Sequence, residues 1–322
     1  MRVYVHANCQ GPPIAEMIRA CFPDWEVASY EVFGEKIIKE IARYRYLVSS
    51  ADIIISQPIH AGYRNRDDLS LDWVRATARL GCDVLTFPSI HFEGQLLGWR
   101  TLPFPGYGMP YHDTLLVALA ASGLPAGVII DLALSPHLFS HQFITDEIEI
   151  SLGEAERRER EDDIDVVISP FLRKYGEIAP LFHIINHPGR PVLAHMTASI
   201  MAALGYSVKI PAGGGPCIQL PHVPCHPSVL RLFEQAGRAP ADWSPLDREF
   251  YHIPGRKLTR TEYTQQSLAA FLEIGEAGLL AGLRNAHALP FLRRVQAGVP
   301  MVGEILAGGP LGPDVCAAAT HR

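Results

Sequence analysis

The chain has 322 residues, with 28 Lys and Arg against 34 Asp and Glu and a formal net charge of -6, so it lacks the basic footprint of a nucleic-acid binder. Hydrophobic residues make up 48% and charged residues 19%, which supplies a large buried core and excludes a disordered chain. The length predicts one large domain or two closely packed lobes, because single cores stop growing near this size.

The chain opens Met1-Arg2-Val3-Tyr4-Val5-His6-Ala7, an apolar run too short for a secretory leader. Val3-Tyr4-Val5 reads as a first strand. Ile14, Met17, Ile18 and Cys21 then recur at helical spacing behind Pro12 and Pro13, residues tolerated in a first helical turn. Residues 25–32 form a second strand, residues 34–46 a helix with Ile37, Ile38 and Ile41 on one face, and residues 52–56 a short buried strand. Asp67 caps a helix that reaches Leu80 and stops at Gly81, and residues 83–87 make a fourth strand. This βαβαβαβ alternation predicts an α/β fold with a Rossmann-like parallel sheet over residues 1–105.

Helical signals dominate residues 106–302, after a loop crowded with Pro103, Pro105, Gly106, Gly108 and Pro110. Residues 115–134 are the most apolar window, but Ser122-Gly123-Leu124-Pro125 and Asp131 interrupt it, which predicts two buried elements and no membrane span. Ser151 and Glu154 fit a capping box, the charges of residues 154–165 suit a solvated face, and Ile164, Val167, Ile168, Phe171, Leu172 and Tyr175 mark a buried stripe. A helix opened by Pro191 and stopped by Gly205 carries Val192, Met196, Ile200 and Leu204. Residues 303–322, rich in Ala, Gly and Pro, read as a flexible tail. Six cysteines without a C-x-x-C pair predict reduced thiols and a cytoplasmic location.

Ligands of open parallel sheets bind beyond the carboxyl ends of the strands. Three polar clusters fall there: Asn8-Cys9-Gln10, Gln57-Pro58-Ile59-His60, and Ser89-Ile90-His91-Phe92-Glu93-Gly94. Cys9 falls in the turn that enters the first helix, where the dipole and free N–H groups favour a thiolate and a nucleophile; the spacing alone suits a small cysteine packed in a turn better. Asn8 and Gln10 would flank a developing oxyanion. A second cluster, His183-Ile184-Ile185-Asn186-His187-Pro188, offers a base: His183 reads as a satisfied interior histidine, whereas His187 sits at a strand-to-helix junction. Cys217, His222, Cys225 and His226 have zinc-ligand chemistry, but their spacing and interleaved prolines predict a loop without metal. Gly213-Gly214-Gly215 reads as a flexible loop for want of a flanking strand and helix.

Taken together, Asn8-Cys9-Gln10, Gln57-Pro58, the 87–94 segment and Asn186-His187-Pro188 resemble the WcbI family of capsular polysaccharide biosynthesis over about residues 2–205. The resemblance implies a cytosolic enzyme that binds coenzyme A and O-acetylates a sugar from acetyl-coenzyme A. Its Gly-Asn-Cys-Gln turn falls on Ala7 to Gln10, with alanine replacing glycine, and its Asn-His-Pro motif falls on Asn186, His187 and Pro188. His91 stands where an aromatic residue is expected, which weighs against a general catalytic role for it. A looser likeness links the first turn to SGNH-type hydrolases, with Cys9 in place of serine.

The expected site therefore has Cys9 and His187 as catalytic residues and Asn8, Gln10, Gln57 and Asn186 around the oxyanion and substrate. Arg64, Arg66 and Arg190 are candidates for the coenzyme A phosphates, as is the Arg256, Lys257 and Arg260 group. The expected course is a covalent relay through a Cys9 thiolate, with a sugar or polysaccharide as acceptor. A cysteine esterase or deacetylase, and a non-catalytic nucleotide- or glycan-binding module, are the alternatives.

Overall fold

The structure, a computed structural model, describes residues 1–104, 110–210, 221–236, 239–241, 243, 246–285 and 288–316. Its first part runs β1 (Arg2–Ala7), α1 (Gly11–Cys21), β2 (Glu26–Glu31), α2 (Glu35–Lys39), α3 (Ile41–Ser50), β3 (Ile53–Ser56), α4 (Leu71–Thr77) and β4 (Asp83–Thr86). The four strands form one parallel sheet in the order β2-β1-β3-β4, so the expected α/β class is observed. The chain leaves β1 to one side for β2 and returns on the other side for β3. That reversal opens a crevice beyond Ala7 and Ser56, where a sheet of this winding binds its ligand.

Both faces of the sheet are buried, as strands alternate their side chains. Val3, Val5, Ala7, Ile53 and Ile55 join the large core with α1. Tyr4 and Ile54 face the opposite way, into a smaller core with Tyr44, Val48, Leu69 and Val74.

Several boundaries differ from those expected. The helix over residues 34–46 is broken at Glu40, whose φ of -110° and ψ of 32° lie outside the helical well. The next helix is capped by Ser70, which accepts the Trp73 N–H, because Asp67 belongs to a preceding 3-10 turn; it ends at Thr77.

Beyond the sheet come the hairpin β5 (Trp99–Thr101) and β6 (Tyr111–Asp113), then α5 (Thr114–Ala121), α6 (Ala126–Leu134), α7 (His141–Glu161) and α8 (Ser169–Tyr175). A second short hairpin, β7 (Phe182–Ile184) and β8 (His187–Pro188), leads into α9 (Arg190–Ala203). The remainder is α10 (Pro227–Gln235), the hairpin β9 (Phe250–Ile253) and β10 (Arg256–Thr259), then α11 (Arg260–Ile274), α12 (Glu276–Asn285), α13 (Leu289–Gly298), α14 (Pro300–Gly308) and α15 (Gly312–Cys316). Among the described residues no helix is long and apolar enough to cross a membrane.

Ser151 and Glu154 lie inside α7, which is capped instead by Ser140. Glu159, within the expected solvated charge run, is buried: it accepts the N–H groups of Ile168 and Ser169 and the Ser169 hydroxyl, and so caps α8. The expected flexible tail is also corrected. Val302, Leu306, Leu311 and Val315 bury in the main core, so residues 303–316 belong to the helical lobe, while 317–322 lie outside the described residues.

One close approach ties the lobe to the sheet. At Gly94, in the loop after β4, an added Cβ would lie 2.6 Å from the Ile148 Cα of α7, a contact only main-chain movement relieves. Gly94→Ala should therefore cost about 1–3 kcal/mol, the usual range for overpacking. Urea unfolding checks this: the midpoint should fall at unchanged slope, and an unchanged midpoint would show that the loop has room to move.

Candidate active site

The crevice between β1 and β3 is closed by two glutamine side chains. Gln57, the first residue past β3, accepts the Asn8 N–H through Oε1 at 2.9 Å. Its Nε2 donates to Gln10 Oε1 at 3.1 Å and to the Pro88 carbonyl at 3.4 Å. Gln10 Oε1 also takes the Ile90 N–H at 3.1 Å, and Gln10 Nε2 donates to the carbonyls of Ile90 (2.8 Å) and Asn186 (3.0 Å). Every polar capacity of this buried amide is used. Because its nitrogen faces two carbonyls, which only accept, the orientation of the amide is fixed. Gln10 thus fastens three strand-end loops and the Asn186-His187 turn together.

Asn8 completes the turn: Oδ1 accepts the Gln10 N–H at 2.9 Å and Nδ2 donates to Ser89 Oγ at 3.0 Å. Across the site, the Tyr111 hydroxyl donates to Asn186 Oδ1 at 3.1 Å and lies near enough to Cys9 to feel its charge. The structure therefore brings Asn8, Cys9, Gln10, Gln57, Asn186 and His187 into one neighbourhood. Tyr111 and Glu31 join them without any sequence signal, Tyr111 opening the short strand β6 and Glu31 ending an edge strand.

The thiolate expected at Cys9 is corrected. Burial, then the Glu31 carboxylate, push the thiol up to about 11, and the residue's own N–H only partly opposes them. The helix start cannot compensate. Pro12 and Pro13 carry no N–H, and the Gly11 N–H is taken by the Asn8 carbonyl at 2.9 Å. The prolines that announce the helix are what strip it of donors. His187 is half-buried, its Nδ1 is enclosed without a hydrogen-bond partner, and burial lowers it to about 4. The imidazole is therefore neutral throughout the neutral range.

The cations are more dispersed. Arg64 donates to the Phe33 carbonyl, and Arg66 makes a bidentate pair with Asp68 at 2.8 and 2.6 Å; Arg66 is thereby committed to holding its own loop. Arg190 opens α9 just past His187 and lines a groove of about 510 Å³ with Met17, Cys21, Phe22 and Lys209. Arg256 donates to Gln266, Arg260 to the Arg248 carbonyl, and Lys257 lies 3.6 Å from Asp247. His91 pairs with Glu93 at 2.9 Å.

Of the cluster with zinc-ligand chemistry, Cys217 lies outside the described residues, as do Gly213, Gly214 and Gly215. Cys225 is buried, and His226 caps α10 by accepting the Ser228 N–H while its other nitrogen meets the Ala133 carbonyl.

Residues 2–209 match the family model of the polysaccharide biosynthesis enzyme WcbI. The chain belongs to the WcbI family. A solved structure of WcbI, described as the native protein without a disulfide bond between coenzyme A and one of its cysteines, is similar with a TM-score of 0.77 at 20% identity. The likeness covers 93% of this chain and 98% of that one, so the WcbI fold extends past the matched segment into the helical lobe. No curated protein sequence matches.

The raised thiol gives a direct test. Alkylation of Cys9 by iodoacetamide, followed by peptide-resolved mass spectrometry, should keep accelerating above pH 9. Glu31→Gln removes the carboxylate that disfavours the thiolate and should speed the reaction at pH 8 by about 2- to 10-fold, a change of up to one pK unit. A rate that levels off below pH 8 would contradict the assignment.

Proposed function

We propose that this WcbI-family chain is a coenzyme A-dependent O-acetyltransferase that moves an acetyl group from acetyl-coenzyme A to a sugar hydroxyl in polysaccharide biosynthesis. The observation that carries the reading is the Gln10–Gln57 frame, which holds a cysteine turn and a neutral imidazole at the switch point of the sheet. The WcbI relative whose description names coenzyme A and a cysteine supports placing the thiol end of the cofactor beside Cys9. Arg190 and Lys209, on the groove by α1, supply the cations that its phosphates require.

The side chains favour direct transfer over a covalent relay. With its thiol held protonated, Cys9 is a poor resting nucleophile, and no hydrogen bond joins it to His187 among the described residues. His187 accepts the proton of the attacking hydroxyl as the oxygen bonds to the acetyl carbon. The Cys9 main-chain N–H, with Asn8 Nδ2 beside it, steadies the oxyanion. The carbon–sulfur bond then breaks, His187 returns its proton to the departing sulfur, and the Cys9 thiol donates a hydrogen bond to the same atom.

Coenzyme A should raise thermal stability, by about 2.7 kcal/mol when it reaches roughly 100 times its dissociation constant. With acetyl-coenzyme A and a panel of mono- and oligosaccharides, mass spectrometry should find O-acetylated sugar. His187→Ala should lower kcat by about 10²- to 10⁴-fold. Cys9→Ala should bind coenzyme A and lose about 10- to 100-fold in rate, the worth of a hydrogen bond to a charged group. An acetylated Cys9 that forms and is consumed at the rate of turnover would establish the relay instead. Absence of any stabilisation by millimolar coenzyme A would sink the acyltransferase reading.

A further inference from the structure

Three histidines lie side by side across three short extended segments, one of them the strand that pairs with His187. His222 exchanges main-chain hydrogen bonds with His252 of β9 at 2.8 and 2.9 Å, and the Val223 N–H donates to the His183 carbonyl of β7 at 2.8 Å. The imidazoles follow: the His183 and His222 ring centres are 5.2 Å apart, and those of His222 and His252 are 5.6 Å apart. Asp247 closes the row, its carboxylate meeting His252 Nε2 at 2.7 Å and its main-chain carbonyl meeting His222 Nε2 at 2.8 Å.

The proton positions can be deduced. A carbonyl only accepts, so His222 Nε2 carries a hydrogen. Burial disfavours charge on both His222 and His183, and neighbouring imidazoles add to it. Neutral His222 therefore has a bare Nδ1, and that atom is 3.2 Å from His183 Nδ1. His183 must donate there, which leaves its own Nε2 as a bare acceptor. No partner for that nitrogen is found among the described residues, and His183 is half-buried on the hairpin that carries His187, close enough to feel a charge on it.

We infer that the Asp247 carbonyl and His222 lock His183 in its Nδ1–H tautomer so that its bare Nε2 receives a hydroxyl of the sugar acceptor beside His187. This rests on the acyltransferase reading for the identity of the acceptor, but the lock itself does not. His222 is then a positioning residue and His183 a contact for the acceptor. Its chemistry suits a polyhydroxyl ligand, which supplies several donors, while the attacking hydroxyl remains with His187.

The full chain labelled with ¹⁵N-histidine and read by long-range ¹H–¹⁵N NMR tests the lock without any substrate. His183 should show a protonated Nδ1 and a bare Nε2, and His222 the reverse. A protonated Nε2 on His183 overturns the inference. For the acceptor, methyl glycosides of glucose, galactose and mannose serve as probes with acetyl-coenzyme A. His222→Phe, which fills the space without donor or acceptor, should raise the KM of the best glycoside about tenfold while leaving that of acetyl-coenzyme A unchanged. His222→Gln, which can accept from His183 and donate to Asp247, should restore most of the loss. An unchanged glycoside KM in His222→Phe overturns the acceptor contact. If the unaltered chain transfers nothing to any glycoside, the acceptor assignment falls with the functional reading, and the tautomers alone decide the lock.

Discussion

Two buried glutamine side chains hold this site together. Gln57 ties β3 to the turn after β1, and Gln10 ties that turn to the loop after β4 and to the hairpin before α9. A buried amide stripped of its partner costs about 1–3 kcal/mol for each group left unsatisfied, so the loops gain by staying in register with one another. The sheet supplies the geometric reason: in the order β2-β1-β3-β4 the crevice opens between β1 and β3, the junction that Asn8 and Gln57 bridge. The hydrogen bonds that preserve the fold at this point are therefore the ones that place Cys9 near Asn186 and His187.

The electrostatics of the crevice follow from the same enclosure. Burial removes water from Cys9 and from His187 alike, and it favours the uncharged form of each. A site that keeps both its thiol and its imidazole neutral differs from the charged pair of a cysteine hydrolase. It suits a reaction whose charge appears only on the reacting atoms and disappears when the proton is returned. Glu31 reinforces the effect on the thiol side, and Tyr111 fixes Asn186 from above.

Much of this was legible in the residues. Short apolar runs alternating with helical patterns gave the four parallel strands and α1, helical spacing gave α9, and the polar residues just past the strand ends gave the candidate site. What escaped depends on contacts distant in sequence. Glu159 lies in a run of charges, and only the fold shows that it is buried under the start of α8. Val302, Leu306, Leu311 and Val315 recur at helical spacing, but the Gly and Pro between them hid the helices α14 and α15. Pro12 and Pro13 announced a helix start correctly, but they bring no N–H groups to offset the burial and the Glu31 carboxylate that keep the neighbouring thiol protonated. Tyr111 and His252 carry no local motif and meet Asn186 and His222 only because the fold brings distant segments together.

The most direct measurement is a crystal structure of the chain with coenzyme A bound. The account predicts the thiol end of the ligand in contact with Cys9 Sγ at the β1–β3 crevice, within reach of the His187 imidazole, and its phosphates along the groove that Arg190 and Lys209 line. Coenzyme A bound with its thiol away from the Asn8-Cys9-Gln10 turn would contradict it.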